Sequence, residues 1–131
     1  MAISNKLDEN AEISHIIVDF GAENKISNYY TELKGFKAKN KLKTVYLGKN
    51  NDIIDLNYNI KHFCENTISE INVQGAIDNN SKKSFKGTID FIKESKGSKG
   101  GENENCVLLS DNAKSISLPM LLCHEDDVNG E

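Results

Sequence analysis

A chain of 131 residues with 27% charged residues has room for one domain of modest size, with a core to match. Its formal net charge of −4 argues against nucleic acid as the main partner, because phosphate binding needs a basic face. No apolar segment is long enough to span a bilayer, so no membrane role is expected.

Residues 1–10 carry no usable pattern and are expected to be a poorly ordered N-terminal segment, with the domain running from 11 to 131. The stretch Met1 to Glu12 lacks an apolar h-region, so no signal peptide is read there. Short strands fit Ser14–Phe20, Thr31–Phe36 and Lys43–Leu47, and Asn24–Tyr30 has room for a single helical turn. Ile54, Leu56, Tyr58, Ile60 and His62 then alternate with polar neighbours, the period-two signature of a strand with one apolar face. Ile71, Val73, Gly75 and Ile77 repeat the pattern, as do Phe85, Gly87, Ile89 and Phe91. Further strands fit Cys106–Leu109 and Ser115–Leu118. Between them, Glu94–Asn103 holds Gly97, Gly100 and Gly101 and reads as a flexible loop.

No window carries a helical apolar stripe, so the chain is nearly all-β. Asn50-Asn51-Asp52 and Asp78-Asn79-Asn80-Ser81 are polar turns. Gly35, Gly48, Gly75 and Gly87 recur at strand positions, where glycine marks a corner or a close backbone approach. Short strands without tight hairpin signals favour a solenoid over an antiparallel sandwich, although no strict repeat is visible.

The cysteines Cys64, Cys106 and Cys123 are odd in number and widely spaced. They read as reduced thiols, and a cytoplasmic location is expected. Cys123-His124-Glu125-Asp126-Asp127 is the densest block of metal-ligand types. Neighbours on a strand point to opposite faces, so Cys123 and His124 do not readily share an ion, and a solvated acidic turn is the simpler reading. His62 falls on an apolar face and is expected to be a structural histidine bonded to backbone. Cys64 shares that face if the strand runs on. His15 has no clear partner in the sequence and is read as structural. Cys106 behaves as a small hydrophobe before an apolar strand. Glu102 and Glu104 could share a face, but solvated carboxylates are ordinary at the end of a loop. No nucleophile and base arrangement is readable, so no enzyme activity is expected.

The block from Glu102 to Glu131, with Leu108-Leu109-Ser110-Asp111, the proline-bearing strand and the Glu-Asp-Asp-Val-Asn-Gly-Glu ending, resembles the SufB/SufD family of iron–sulfur cluster assembly scaffolds. Upstream, Lys61-His62-Phe63 followed by Thr67-Ile68-Ser69 is similar to the family's His…Thr-x-Ser segment, and Phe85-Lys86-Gly87-Thr88-Ile89 to its Phe-x-Gly-x-Ile strand. The resemblance implies a right-handed parallel β-helix, a single-stranded solenoid with little or no α-helix. It also implies a scaffold role in cytosolic iron–sulfur assembly beside a SufC-type ATPase, and pairing with a SufB/SufD-type partner or with itself as a dimer. The family's histidine after the Asn-Gly-Glu ending lies beyond Glu131, and so does its helical SufC-contacting segment, so a core fragment truncated at its C-terminus is expected. Counting back from Pro119, the functional cysteine of SufB-type members matches Glu104, with Cys106 two residues later. Glu131, Cys106 and Cys123 are the candidate metal-binding residues. No cofactor is expected to stay bound, only a transient iron–sulfur cluster in the full assembly. The alternative is a β-helical protein- or carbohydrate-binding domain without metal chemistry.

Overall fold

The computed structural model describes residues 1–20 and 24–130. Ten strands occur among them: β1 (Ala2–Leu7), β2 (Glu12–Phe20), β3 (Asn24–Leu33), β4 (Lys39–Gly48), β5 (Ile53–His62), β6 (Ile68–Ile77), β7 (Lys82–Phe91), β8 (Ser98–Leu108), β9 (Lys114–Cys123) and β10 (Val128–Gly130). Consecutive strands never pair. The odd strands form one sheet in the order β1-β3-β5-β7-β9, and the even strands a second, β10-β8-β6-β4-β2. Every pairing is parallel. The chain therefore alternates between two walls and climbs one strand per wall at each turn, a β-solenoid of about four turns.

The middle turns keep one register. Asn24 pairs with Ile53 and Ile53 with Lys82, and across the other wall Lys39 pairs with Ile68. That is a step of 29 residues. It brings Asn50 over Asn79, and the Asn50 N–H donates to Asn79 Oδ1 at 3.0 Å. The repeat is hidden in the sequence because stacked positions conserve burial rather than identity: Leu33, His62 and Phe91 form one inward column.

Parallel stacking buries one face of each strand. Leu56, Tyr58, Ile60, Val73, Ile77 and Ile89 are among the residues sealed inside. Burying such a side chain stabilises by about 1.5–3 kcal/mol. His15, Tyr29, Tyr58 and Phe85 form an edge-to-face aromatic ladder with centroids 5.4, 5.9 and 5.6 Å apart. Two of the interior tyrosine hydroxyls are paired across the two walls: Tyr29 Oη donates to Asn40 Oδ1 at 2.8 Å, and Thr44 and Tyr58 share a bond of 2.8 Å, whereas Tyr46 Oη has no partner among the described residues.

Several expectations change. Residues 1–10 are not a loose leader, since Ala2–Leu7 is β1 and pairs with β3. Asn24–Tyr30 is not a helical turn but the start of β3. Glu94–Asn103 is not one loop, because β8 begins at Ser98. Corners are turned mainly by asparagine: Asn10, Asn50, Asn66 and Asn79 all hold positive φ between 56° and 58°. Asparagine tolerates that left-handed backbone better than most side chains.

Gly75 and Gly87 sit mid-strand, where they admit a neighbour rather than turn the chain. A Cβ at Gly75 would lie 2.5 Å from the Tyr46 ring, which lies across the glycine from the paired strand. Gly75→Val is expected to destabilise by about 1–3 kcal/mol through overpacking. Gly101→Ala, where a Cβ meets nothing within 4 Å, is expected to stay within about 0.5 kcal/mol. Urea midpoints compared at constant m-value check both.

Candidate functional site

The interior changes character in the last turn. On the wall of even strands the inward positions of β6 are Ile71, Val73 and Gly75, and in register above them β8 places Glu102, Glu104 and Cys106. On the facing wall β7 carries Lys83, Phe85 and Gly87 inward, and β9 places Ser115, Ser117 and Pro119 over them. The apolar core thus ends in a ring of carboxylates, a thiol, hydroxyls and one ammonium. Among the described residues β9 is the last strand of its sheet, and β10 pairs with Ser98–Gly100 of β8.

Lys83 anchors the ring. Its side chain is fully buried, ion-paired to Glu104 on the opposite wall, and donates to Ser117 Oγ at 3.2 Å. Ser117 also donates to Glu104. The ammonium lies 5.9 Å from the centroid of the Tyr46 ring. A fully buried charge requires such pairing. Tyr46 borders Cys106, and burial, the thiol beside it and the charge of Glu104 push its phenol well above the usual tyrosine range.

Glu102 is different. Its Oε1 is buried without a partner, and it lies where a Cβ on Gly87 would stand, 2.3 Å from that ideal position. Gly87 follows Tyr58 in register, and the Glu102 carboxyl and the edge of the Phe85 ring share the space a side chain there would fill. Burial pushes the Glu102 pKa up to about 7.

His62 is buried at the other end of the cross-section, and its partners are side chains rather than the expected backbone. Nδ1 lies 2.7 Å from Thr67 Oγ1 and Nε2 lies 2.8 Å from Ser69 Oγ. The Cys64 carbonyl lies 3.1 Å from both Thr67 Oγ1 and Ser98 Oγ and accepts from these hydroxyls. Ser98 ties in the next turn, 2.8 Å from Thr67 Oγ1. Burial lowers the imidazole pKa to about 3. The strand stops at His62, so Cys64 lies in the following turn and does not share its face.

Cys106 is half-buried on the inner face of β8, packed against the core. Cys123 is exposed at the end of β9, on the inward column above Phe91. Ser117 lies across from Glu104, so Cys106 faces the Ser115 end of β9, eight residues from Cys123. That is about 26 Å along a strand, too far for both thiols to hold one ion. The ligand-rich block divides as strand geometry predicts. His124 lies 3.8 Å from Asp90, and Glu125 accepts from the Glu94 N–H at 3.3 Å. Glu131 lies outside the described residues. Among the described residues no group of three His, Cys, Asp or Glu side chains could hold a metal ion.

Sequence reasoning missed Lys83 entirely and took Glu102 and Glu104 for solvated loop carboxylates. The available signal was alternation: Glu102, Glu104 and Cys106 against Asn103, Asn105 and Val107. Charges on the inward face made that strand look like a loop.

A two-walled parallel β-solenoid whose apolar interior gives way to a polar ring in its last described turn defines the class of this chain. The chain matches the family model described as SUF system FeS cluster assembly, SufBD core domain, over residues 2–131, and it belongs to that family. No curated protein gives a match that adds a relative.

Proposed function

We propose that this chain is a non-enzymatic scaffold of the cytoplasm, working beside a SufC-type ATPase and holding a nascent iron–sulfur cluster as cargo rather than as a resident cofactor. Membership of the SufBD core family supports its involvement in SUF-type assembly. The observation that carries the finer proposal is the polar ring of the last described turn: Cys106 is the thiol of that ring, on the same inner face as Glu104 and on the wall that faces β9.

Strand β9, paired on one side among the described residues, also supports pairing with a SufB/SufD-type partner or a second copy. The N–H groups of Lys114 and His124 donate to Ser81 and Phe91 of the β7 wall, so even-numbered donors of β9 face β7. Odd-numbered donors face outward, and Pro119, which has none, removes no ladder bond where it stands. A partner docked there adds its own side chains to those of the ring.

The test is anaerobic addition of ferrous iron and sulfide to the chain with its assembly partners. Cys106→Ala is expected to reduce cluster absorbance by more than about half, since thiolates hold such clusters, and Cys123→Ala to change it little. Unchanged cluster content in the Cys106 variant would make that thiol structural and remove the proposed ligand.

A further inference from the structure

Asp19, Tyr46, Gly75 and Cys106 stack in register as one inward column on the wall of even strands. Gly75 leaves its own level of that column without a side chain, and the Tyr46 ring fills it. Tyr46 Cγ, Cδ2 and Cε2 all lie 2.5 Å from where a Gly75 Cβ would stand. The ring therefore leans one turn along the stack, and its hydroxyl reaches the Cys106 thiol on the next strand.

Tyr46 is 0% exposed, and its Oη makes no hydrogen bond among the described residues. Tyr29 and Tyr58, buried in the same interior, each bond a side chain on the other wall. A buried hydroxyl left without a partner is destabilising, and one in a native interior calls for a reason. The neutral thiol beside it is no reason, because an S–H sulfur is a weak acceptor. A metal-bound thiolate is one, since a hydrogen bond to an ionised acceptor is roughly twice as strong as a neutral one. Burial and the charge of Glu104 keep the phenol protonated, so it can only donate to an anion. The surroundings tolerate that anion: Glu104 is already paired with Lys83, whose ammonium lies 5.9 Å from the centroid of the Tyr46 ring.

We infer that Tyr46 is a positioning residue for Cys106, its hydroxyl donating to the sulfur when that sulfur is an iron-bound thiolate. The inference rests on the scaffold reading above and adds to it the group that orients the ligand sulfur. As iron binds, the S–H proton of Cys106 leaves to solvent and an S–Fe bond forms. The Tyr46 O–H then turns to a sulfur lone pair, keeps its proton and transfers no electron. Gly75 belongs to the same device, because a side chain there would meet the ring. A donor on the sulfur draws charge from it and favours the reduced, more negative cluster, so it raises the reduction potential.

The experiment compares the wild-type chain with Tyr46→Phe and Cys106→Ala. Urea unfolding is measured without iron. Ferrous iron and sulfide are then added anaerobically with the assembly partners, and cluster content, release of iron to a chelator and reduction potential are read. Without iron, Tyr46→Phe is expected to leave the urea midpoint unchanged or raise it, because it removes an unpartnered hydroxyl and keeps the ring. With the cluster, the same variant is expected to hold iron about tenfold more weakly, as loss of a partner behind a metal ligand does, and to shift the potential downward. A tyrosine that only packs and bonds the interior gives the opposite pattern. A lowered midpoint without iron overturns the inference, and so does a potential that does not move. If Cys106→Ala loses the cluster while Tyr46→Phe matches the wild type in release and potential, Tyr46 alone is removed and the scaffold reading stands. If the wild-type chain takes up no cluster, or Cys106→Ala keeps it, the proposed ligand falls and this inference with it.

Discussion

Glu104→Ala is expected to destabilise the fold by about 3–5 kcal/mol, the cost of leaving a buried charge without its partner. Lys83 is fully enclosed, and its ammonium has the Glu104 carboxylate, the Ser117 hydroxyl and the Tyr46 ring around it. Removing the carboxylate leaves a cation facing a hydroxyl and an aromatic face. Lys83→Met combined with Glu104→Leu removes both charges at similar volume and is expected to recover most of the loss, because desolvation of the pair offsets much of its attraction. Urea unfolding of the two single variants and the double variant gives the coupling energy directly. A cost below about 1 kcal/mol for Glu104→Ala would show that water reaches the ammonium.

Acid is expected to act on this fold through two groups of opposite sign. The unfolded chain protonates His62 near 6.5, while the folded chain keeps it neutral down to about 3. Between those values the unfolded state binds one more proton, so stability falls with falling pH by about 1.4 kcal/mol per unit. Above 6.5 this contribution is fully present. Glu102 works the other way: its folded pKa is about 7 against 4.5 unfolded, so the folded state binds the extra proton and stability rises as pH falls through that window. From 6.5 to 4.5 the two slopes nearly cancel, and below 4.5 His62 acts alone of the pair. Glu102→Gln is expected to expose the full His62 slope from 6.5 downward, and His62→Phe to remove it. Chemical denaturation at half-unit steps between pH 4 and 8 reads both. If Glu102→Gln leaves the profile unchanged, the carboxyl is solvated and does not couple folding to pH.

Much of the solenoid was legible in the central strands. Ile54 to His62 and Phe85 to Phe91 alternate because each strand buries one face only, and that period survives any change of neighbour. The errors share a physical cause. In β1, β3 and β8 the inward residues include Asn5, Lys25, Ser27, Glu102 and Glu104, so alternation of hydropathy fails although alternation of burial holds. Polar groups are tolerated inward there by partners on other strands: Asn5 donates to Thr31 Oγ1 at 3.2 Å, and Lys25 pairs with Asp19 at 2.8 Å. Those partners are 26 and 6 residues away along the chain, and no local window contains the first pair.

The candidate site shows the same division. His62 was placed inside by its position in an apolar alternation, and the divergence of Cys123 from His124 followed from strand geometry. Lys83 was invisible because nothing near it in sequence announces a carboxylate on the opposite wall, 21 residues on. By itself the sequence determined an all-β chain, the faces of its middle strands and, through the residues from Glu102 to the end, the family. Only the tertiary structure decided which polar residues point inward, that Glu104 and Lys83 meet, and that Cys106 and Cys123 stand far apart. A strand's own period sets which face a residue takes, but what that face meets is set by register across turns of about 29 residues, beyond the reach of any local pattern.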